Sequence, residues 1–135
     1  MAFSTVVMLL DSQDTVLIET RARHWDNSAL TLVLGDVQWV DISQNPGYSD
    51  YVTDLDAAAA LRLYEYFLPG YRQWIAMNEQ NAANHRRKGE AIAEEYAMVV
   101  DADKAQLAAL TEIVQRAGAA GLKVRILSEE WSSGY

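Results

Sequence analysis

A small α+β domain, a mainly antiparallel sheet with two to three helices packed on one face, is what this 135-residue sequence predicts. Three observations carry that reading. Apolar and polar positions alternate through the first third of the chain, helical spacing dominates the middle, and alternation returns near the end. The length suits a single domain, 1–135, that hides roughly two-thirds of the surface its unfolded chain exposes.

Residues 5–10 are almost continuously apolar and end at Asp11-Ser12-Gln13-Asp14, a cluster of turn formers, which suits a central strand buried on both faces. Residues 15–25 then alternate, with Val16, Ile18, Thr20 and Ala22 on one face and Leu17, Glu19, Arg21 and Arg23 on the other. Asp26-Asn27-Ser28 reads as a turn, and Leu30, Leu32 and Leu34 as a third strand. Gly35-Asp36 ahead of Val37-Gln38-Trp39-Val40 has the glycine-first pattern of a type II′ hairpin. The sequence therefore predicts a four-strand antiparallel N-terminal meander before any helix.

Asn45-Pro46-Gly47 interrupts the sheet, and Thr53 offers an N-cap hydroxyl ahead of Asp54 and Asp56 in a first helical turn. Leu55, Ala59, Leu63 and Phe67 form one stripe and Leu61, Tyr64 and Leu68 another, so this helix is expected to be largely buried. Pro69-Gly70 ends or kinks it. A second helical stretch over 71–88 starts apolar at Trp74 and Ile75, then turns Asn-rich and basic, so its distal half is expected to project into solvent. Gly89 can serve as its C′ residue. Tyr96-Ala97-Met98-Val99-Val100 reads as a short strand. Asp103 with Gln106 then forms a capping box for a helix whose seam is Leu107, Leu110, Val114 and Ala117, stopped by Gly118 or Gly121. Leu122, Val124 and Ile126 make the last strand, the second of two C-terminal ones. Beyond it, Ser132-Ser133-Gly134 reads as a mobile tail.

Charge is distributed unevenly. Nine Asp/Glu and two Arg lie in residues 1–56, against ten acids and nine bases in 57–135, so nearly all the net charge of −8 belongs to the front of the chain. An acidic surface on a rigid sheet suits a cationic partner, since complementary fields speed encounter and suppress wrong partners. The same balance argues against nucleic acid, whose binding rests on neutralising phosphates. With no cysteine, disulfides and thiolate chemistry are excluded, and a reducing compartment, the cytoplasm, is expected. The apolar run from Val6 to Leu10 is too short for a signal peptide core or a membrane span.

The segment 48–56 concentrates Asp50, Asp54 and Asp56 with Tyr48 and Tyr51. These five are the candidate partner-binding residues: acids to accept Arg or Lys, and tyrosines to give rigid contact area. An acidic helix start with tyrosines leaning on the core is the structural alternative. The spacing of the three aspartates is not that of a calcium loop, and no metal or other cofactor is implied. His24, beside Trp25 and Asp26, and His85 each lack a second ligand at metal spacing. A buried His24–Asp26 pair would make the first a candidate base. Arg86-Arg87-Lys88 complements a helix C-terminus, while Arg21, Arg23, Lys123 and Arg125 are expected on outward sheet positions with Leu17 and Trp25.

Gln115-Arg116-Ala117-Gly118-Ala119-Ala120 resembles the acyl-CoA pyrophosphate loop of GNAT acetyltransferases, Q/R-x-x-G-x-G/A. Here, however, the motif closes a helix, so an anion would meet carbonyl oxygens where that family presents N–H groups. In size, charge and lack of catalytic motifs the chain resembles the small acidic immunity or inhibitor proteins that neutralise nuclease toxins. That resemblance implies a cytoplasmic binding module with a basic protein partner, and a non-catalytic role. Two other functions are consistent with the composition. One is a carboxylate-dependent enzyme using Asp50, Asp54, Glu94 or Glu95. The other is a self-associating subunit burying Tyr48, Trp39 and the Tyr64–Trp74 region. The sequence leaves oligomeric state open.

Overall fold

The computed structural model describes residues 2–131, which form a five-stranded antiparallel sheet with three helices packed against it. In chain order the elements are β1 (Ala2–Leu10), β2 (Val16–Arg21), α1 (Asn27–Leu34), β3 (Val40–Asp41), β4 (Tyr48–Leu55), α2 (Ala57–Arg87), α3 (Ile92–Ala120) and β5 (Lys123–Trp131). The strand order is β2-β1-β5-β4-β3, which places the last of the described strands at the centre. The α+β class stands; the four-strand meander ahead of any helix does not, because α1 interrupts it and β5 lies between the β1–β2 and β4–β3 pairs. Ser132-Ser133-Gly134, read as a mobile tail, lies outside the described residues.

The grouping of elements differs from the expected one in several places, each for a local reason. Residues 30–34 are helical because Asp26 is an N-cap: its carboxylate accepts from the Ser28 N–H at 2.8 Å and from the Ser28 hydroxyl at 2.7 Å. Helical spacing then buries Leu30 and leaves Leu32 74% exposed, a split that strand alternation could not produce. Gly35, at φ 78°, closes this helix and is not part of a hairpin turn. Of the expected fourth strand, Val37-Gln38-Trp39-Val40, only Val40 pairs, together with Asp41 beyond it, and the partner is β4.

Strand β4 occupies residues that the sequence assigned to a loop and a helix start. Helix α2 begins after it, capped by Asp56, which accepts from the Ala59 N–H at 2.8 Å, while Thr53 is a buried strand residue. Pro69 does not end α2. It lies on an exposed side, while Leu63, Phe67, Tyr71 and Ile75 on the opposite side are buried, so packing offsets the one backbone hydrogen bond that proline removes. Residues 96–100 belong to α3 and not to a second C-terminal strand: Val100 is buried and Met98 is 71% exposed. Asp103 and Gln106 are mid-helix residues, not a capping box.

Two lengths organise the molecule. Helix α2 has 31 residues and so spans about 46 Å, whereas the nine-residue β5 spans about 30 Å. The antiparallel pair α2/α3 therefore overhangs the sheet, in line with the projecting distal half expected from its composition. Gly89 at φ 69° makes the turn between the two helices, and Gly121 at φ 64° ends α3. Over the sheet, Leu63 and Phe67 of α2 and Leu110 and Ile113 of α3 bury against Val7, Leu9, Val124 and Ile126. In the overhang, Ile75, Ala82, Ala93 and Val100 are buried.

Candidate functional site

The register fixes which side chains share the open face of the sheet. Thr53 pairs with Ile126 and Leu55 with Val124, all on the helix side. With a period of two, Tyr48, Asp50, Val52 and Asp54 occupy the other side, next to Leu127, Glu129 and Arg125 of β5. Hydrogen bonding also tells which pairs are closest. The Ile42 N–H donates to the Asp50 C=O at 2.8 Å, so the even residues of β4 turn their backbone groups toward β3. Asp50–Glu129 and Asp54–Arg125 are therefore non-hydrogen-bonded pairs, the kind whose side chains approach most closely.

At one end of this face the charges are matched. Arg125 grips Asp54 with two bonds, Nε to Oδ1 at 2.7 Å and Nη2 to Oδ2 at 3.0 Å, the fork geometry of a strong ion pair. Lys123 joins them, 2.6 Å from Asp14 and 3.3 Å from Asp54. The Arg125 guanidinium holds the Asp54 carboxyl below its ordinary value, and Lys123 does the same for Asp14. These two cations are thus neutralised locally. They are separated from β2 by β1, so Arg21 does not join them in a basic patch. Trp25, expected outside, is buried in the core and stacks on Phe67 at 5.4 Å.

The other end is different. Asp50 lies directly opposite Glu129, and like charges facing each other across strands destabilise a sheet. Glu129 has a distant cation, Arg21 at 3.6 Å, whose own side chain is 64% exposed. The Asp50 carboxylate has no ion-pair partner among the described residues. Around this acid pair stand exposed apolar groups: Val40, Ile42 and Tyr48, the last 58% exposed.

The five residues of the candidate patch are thus only partly brought together. Tyr48, Asp50 and Asp54 share the open face, with Asp54 already engaged. Tyr51 falls on the helix side and lines a cavity of about 220 Å³ with Trp39, Ser128 and Glu130. Asp56 is occupied in capping α2. Glu94 and Glu95 lie at the start of α3, at the far end of the overhang, and do not converge with Asp50 or Asp54. Glu94 is within 3.3 Å of Arg86.

A second polar cluster had no signal in local sequence. Asp103 is fully buried on α3 and accepts from Arg23 Nη2 at 3.1 Å, with His24 Nε2 at 3.2 Å. The His24 partner is therefore Asp103, seventy-nine residues away, and not Asp26, which caps α1. Gln106 accepts from the Arg23 N–H and from the Tyr71 hydroxyl, both at 3.0 Å. Burial pushes the Tyr71 phenol up to about 12, with the Asp103 charge adding to it, so Tyr71 is a neutral donor across the physiological range. His24 packs edge-on against the Tyr71 ring at 4.7 Å. One face of α3 and the segment after β2 are thereby clasped together. Its helical spacing of three, four and seven positions before Gln106, Leu107 and Leu110 is the only sequence clue that Asp103 points inward.

A shallow groove of about 310 Å³ continues from this clasp along the overhang, between Trp74 and Asn78 of α2 and Tyr96 and Val99 of α3. His85 stacks on Tyr96 at 5.3 Å and bonds Glu90 at 3.1 Å, beside the basic last turn of α2. Gly118 lies inside α3, so no loop of phosphate-binding shape exists at the GNAT-like motif. The described residues contain no group of three or more His, Cys, Asp or Glu that could hold a metal, and no helix long and apolar enough to cross a membrane. Fold and face together define a small α+β domain with an open, acid-bearing sheet. Comparison with protein families, curated proteins and solved structures finds no match for this chain.

Proposed function

We propose that this protein is a small acidic binding module that captures a basic protein partner on the open face of its sheet, in the manner of immunity or inhibitor proteins that neutralise nuclease toxins. The observation that supports this most directly is the Asp50–Glu129 pair, two acidic residues placed opposite each other across the strands, beside exposed apolar side chains and, among the described residues, with Arg21 as the one cation near Glu129. Such an arrangement costs stability in the free protein and is relieved when a guanidinium or ammonium group bridges the two acids. Tyr48, Ile42 and Val40 supply the apolar contact area that a charge pair alone lacks. Asp54 contributes field but not contacts, because Arg125 and Lys123 already hold it.

The test is affinity capture from the native host with the wild-type chain and with Asp50→Lys/Glu129→Lys, followed by mass spectrometry and binding kinetics on the protein recovered. The expected result is a basic protein retained by the wild type, released as salt rises, and lost with the variant. A partner held equally by both chains, or with salt-independent kinetics, overturns the reading.

A further inference from the structure

Strand β2 ends the sheet on the side opposite the β3 edge, and among the described residues no further strand pairs with its outer edge. The direction of its backbone groups follows from one bond. The Ala22 N–H donates to the Thr5 C=O at 2.9 Å, and Arg21 pairs with Val6, Thr20 with Val7 and Glu19 with Met8. Ala22, Thr20 and Ile18 therefore turn their N–H and C=O toward β1, while Glu19 and Arg21 turn theirs to the open edge. One outward carbonyl, that of Arg21, accepts from the Thr20 hydroxyl at 3.0 Å and keeps its second lone pair. The edge is thus a pairing template six residues long.

We infer that this edge pairs with the same edge of a second copy of the chain, antiparallel and about a two-fold axis at Thr20, to form one continuous ten-stranded sheet. Charge selects that register. With the axis at Thr20, Glu19 of each copy lies opposite Arg21 of the other, and both pairs exchange their outward backbone hydrogen bonds. Moving the axis to Glu19 would set the two glutamates face to face, which costs stability. A half-step between them would oppose outward groups with inward ones and make no bonds. On the helix side Thr20 meets its own copy, a cross-strand pairing that sheets favour. Glu19 is exposed and has no ion pair among the described residues, and Arg21 reaches only Glu129, at 3.6 Å, and the Ser4 hydroxyl, so both are available. This interface shares Arg21, the cation beside Glu129, with the proposed docking face, but self-association is read without any basic partner and so does not depend on that proposal.

The test uses the full chain in sedimentation velocity across a concentration series. The wild type is expected to show a reversible monomer–dimer equilibrium. Glu19→Arg alone and Arg21→Glu alone each place like charges across the junction and are expected to raise the dissociation constant roughly tenfold or more. Mixing the two variants restores opposite charges at both junction pairs, so a heterodimer should form at concentrations where each variant by itself is monomeric. Circular dichroism of each variant confirms that its fold is intact, and Glu19→Gln gives an intermediate affinity without charge reversal. A wild type that remains monomeric to near-millimolar concentration overturns the inference. So does dimerisation that survives both reversals, or a mixture of folded variants that fails to associate.

Discussion

Asp50 and Asp54 stand on the same strand, on the same face, each opposite a residue of β5, yet one faces Glu129 and the other Arg125. The backbone treats them alike. What differs is the side chain across the strand, and with it what the carboxylate can do. Asp54 is held by a forked arginine and a lysine, and its charge is spent inside the molecule. Asp50 faces another acid, and among the described residues it has no ion pair of its own, while Glu129 has only the exposed Arg21. Acidic residues counted together in the sequence therefore divide into those that hold the sheet and those that are free to hold something else. Asp103 marks the buried extreme of the first group.

Four substitutions or titrations break or sharpen this contrast. The largest effect is expected at the buried extreme, where Asp103→Ala removes the acceptor for Arg23 and His24 and should lower stability by roughly 2–4 kcal/mol. Urea unfolding with an unchanged slope would measure it. Next comes Arg125→Ala, which leaves Asp54 and Asp14 without their guanidinium. Because the Asp54–Arg125 pair is partly solvated, the loss expected from it is only about 1 kcal/mol. Asp50→Lys should act in the opposite sense, raising stability by a few tenths to about 1 kcal/mol as like charges become opposite ones, while weakening capture of a basic partner. A destabilised Asp50→Lys chain would show that the acid pair carries no strain.

The smallest effect is in pH dependence. Asp54 and Asp14 have carboxyls lowered by Arg125 and Lys123. Their contribution is complete above the ordinary carboxylate value near pH 4, because the folded state then binds fewer protons than the unfolded state on acidification. It is lost as pH falls through the lowered folded values. In Arg125→Met the Asp54 carboxyl should return toward the ordinary value, and the acid branch of the stability curve should be less steep. Carboxyl-detected NMR titration follows Asp54 directly.

Where sequence and fold agree, the side chains that set the backbone also set the packing. Residues 5–10, 16–21 and 123–126 read as strands because each apolar face is buried by the helices, and Leu63, Phe67, Leu110 and Ile113 keep helical spacing for the same reason. Agreement fails where one residue has two possible roles. Asp26 can open a turn or cap a helix, and only tertiary burial of Leu30 decides between them. Strand β4 was illegible because its open face carries Tyr48, Asp50 and Asp54, so hydrophobic alternation is weak. The candidate site was legible in composition, since Tyr48 and Asp50 do share an exposed face. Its decisive member, Glu129, was not, because cross-strand pairing is set by register between segments about eighty residues apart. The Asp103 clasp was hidden for the same reason.

The position of β5 has a consequence for how the molecule is made. The middle of the sheet is supplied by a segment that follows the other four strands in chain order, so during synthesis the β1–β2 hairpin and the β4–β3 pair must wait as two separate pieces with facing unfilled edges. Until Lys123–Trp131 arrives and zips into the gap, neither piece has the neighbour it needs, and a chain halted before that segment would be split down its centre and exposed to aggregation.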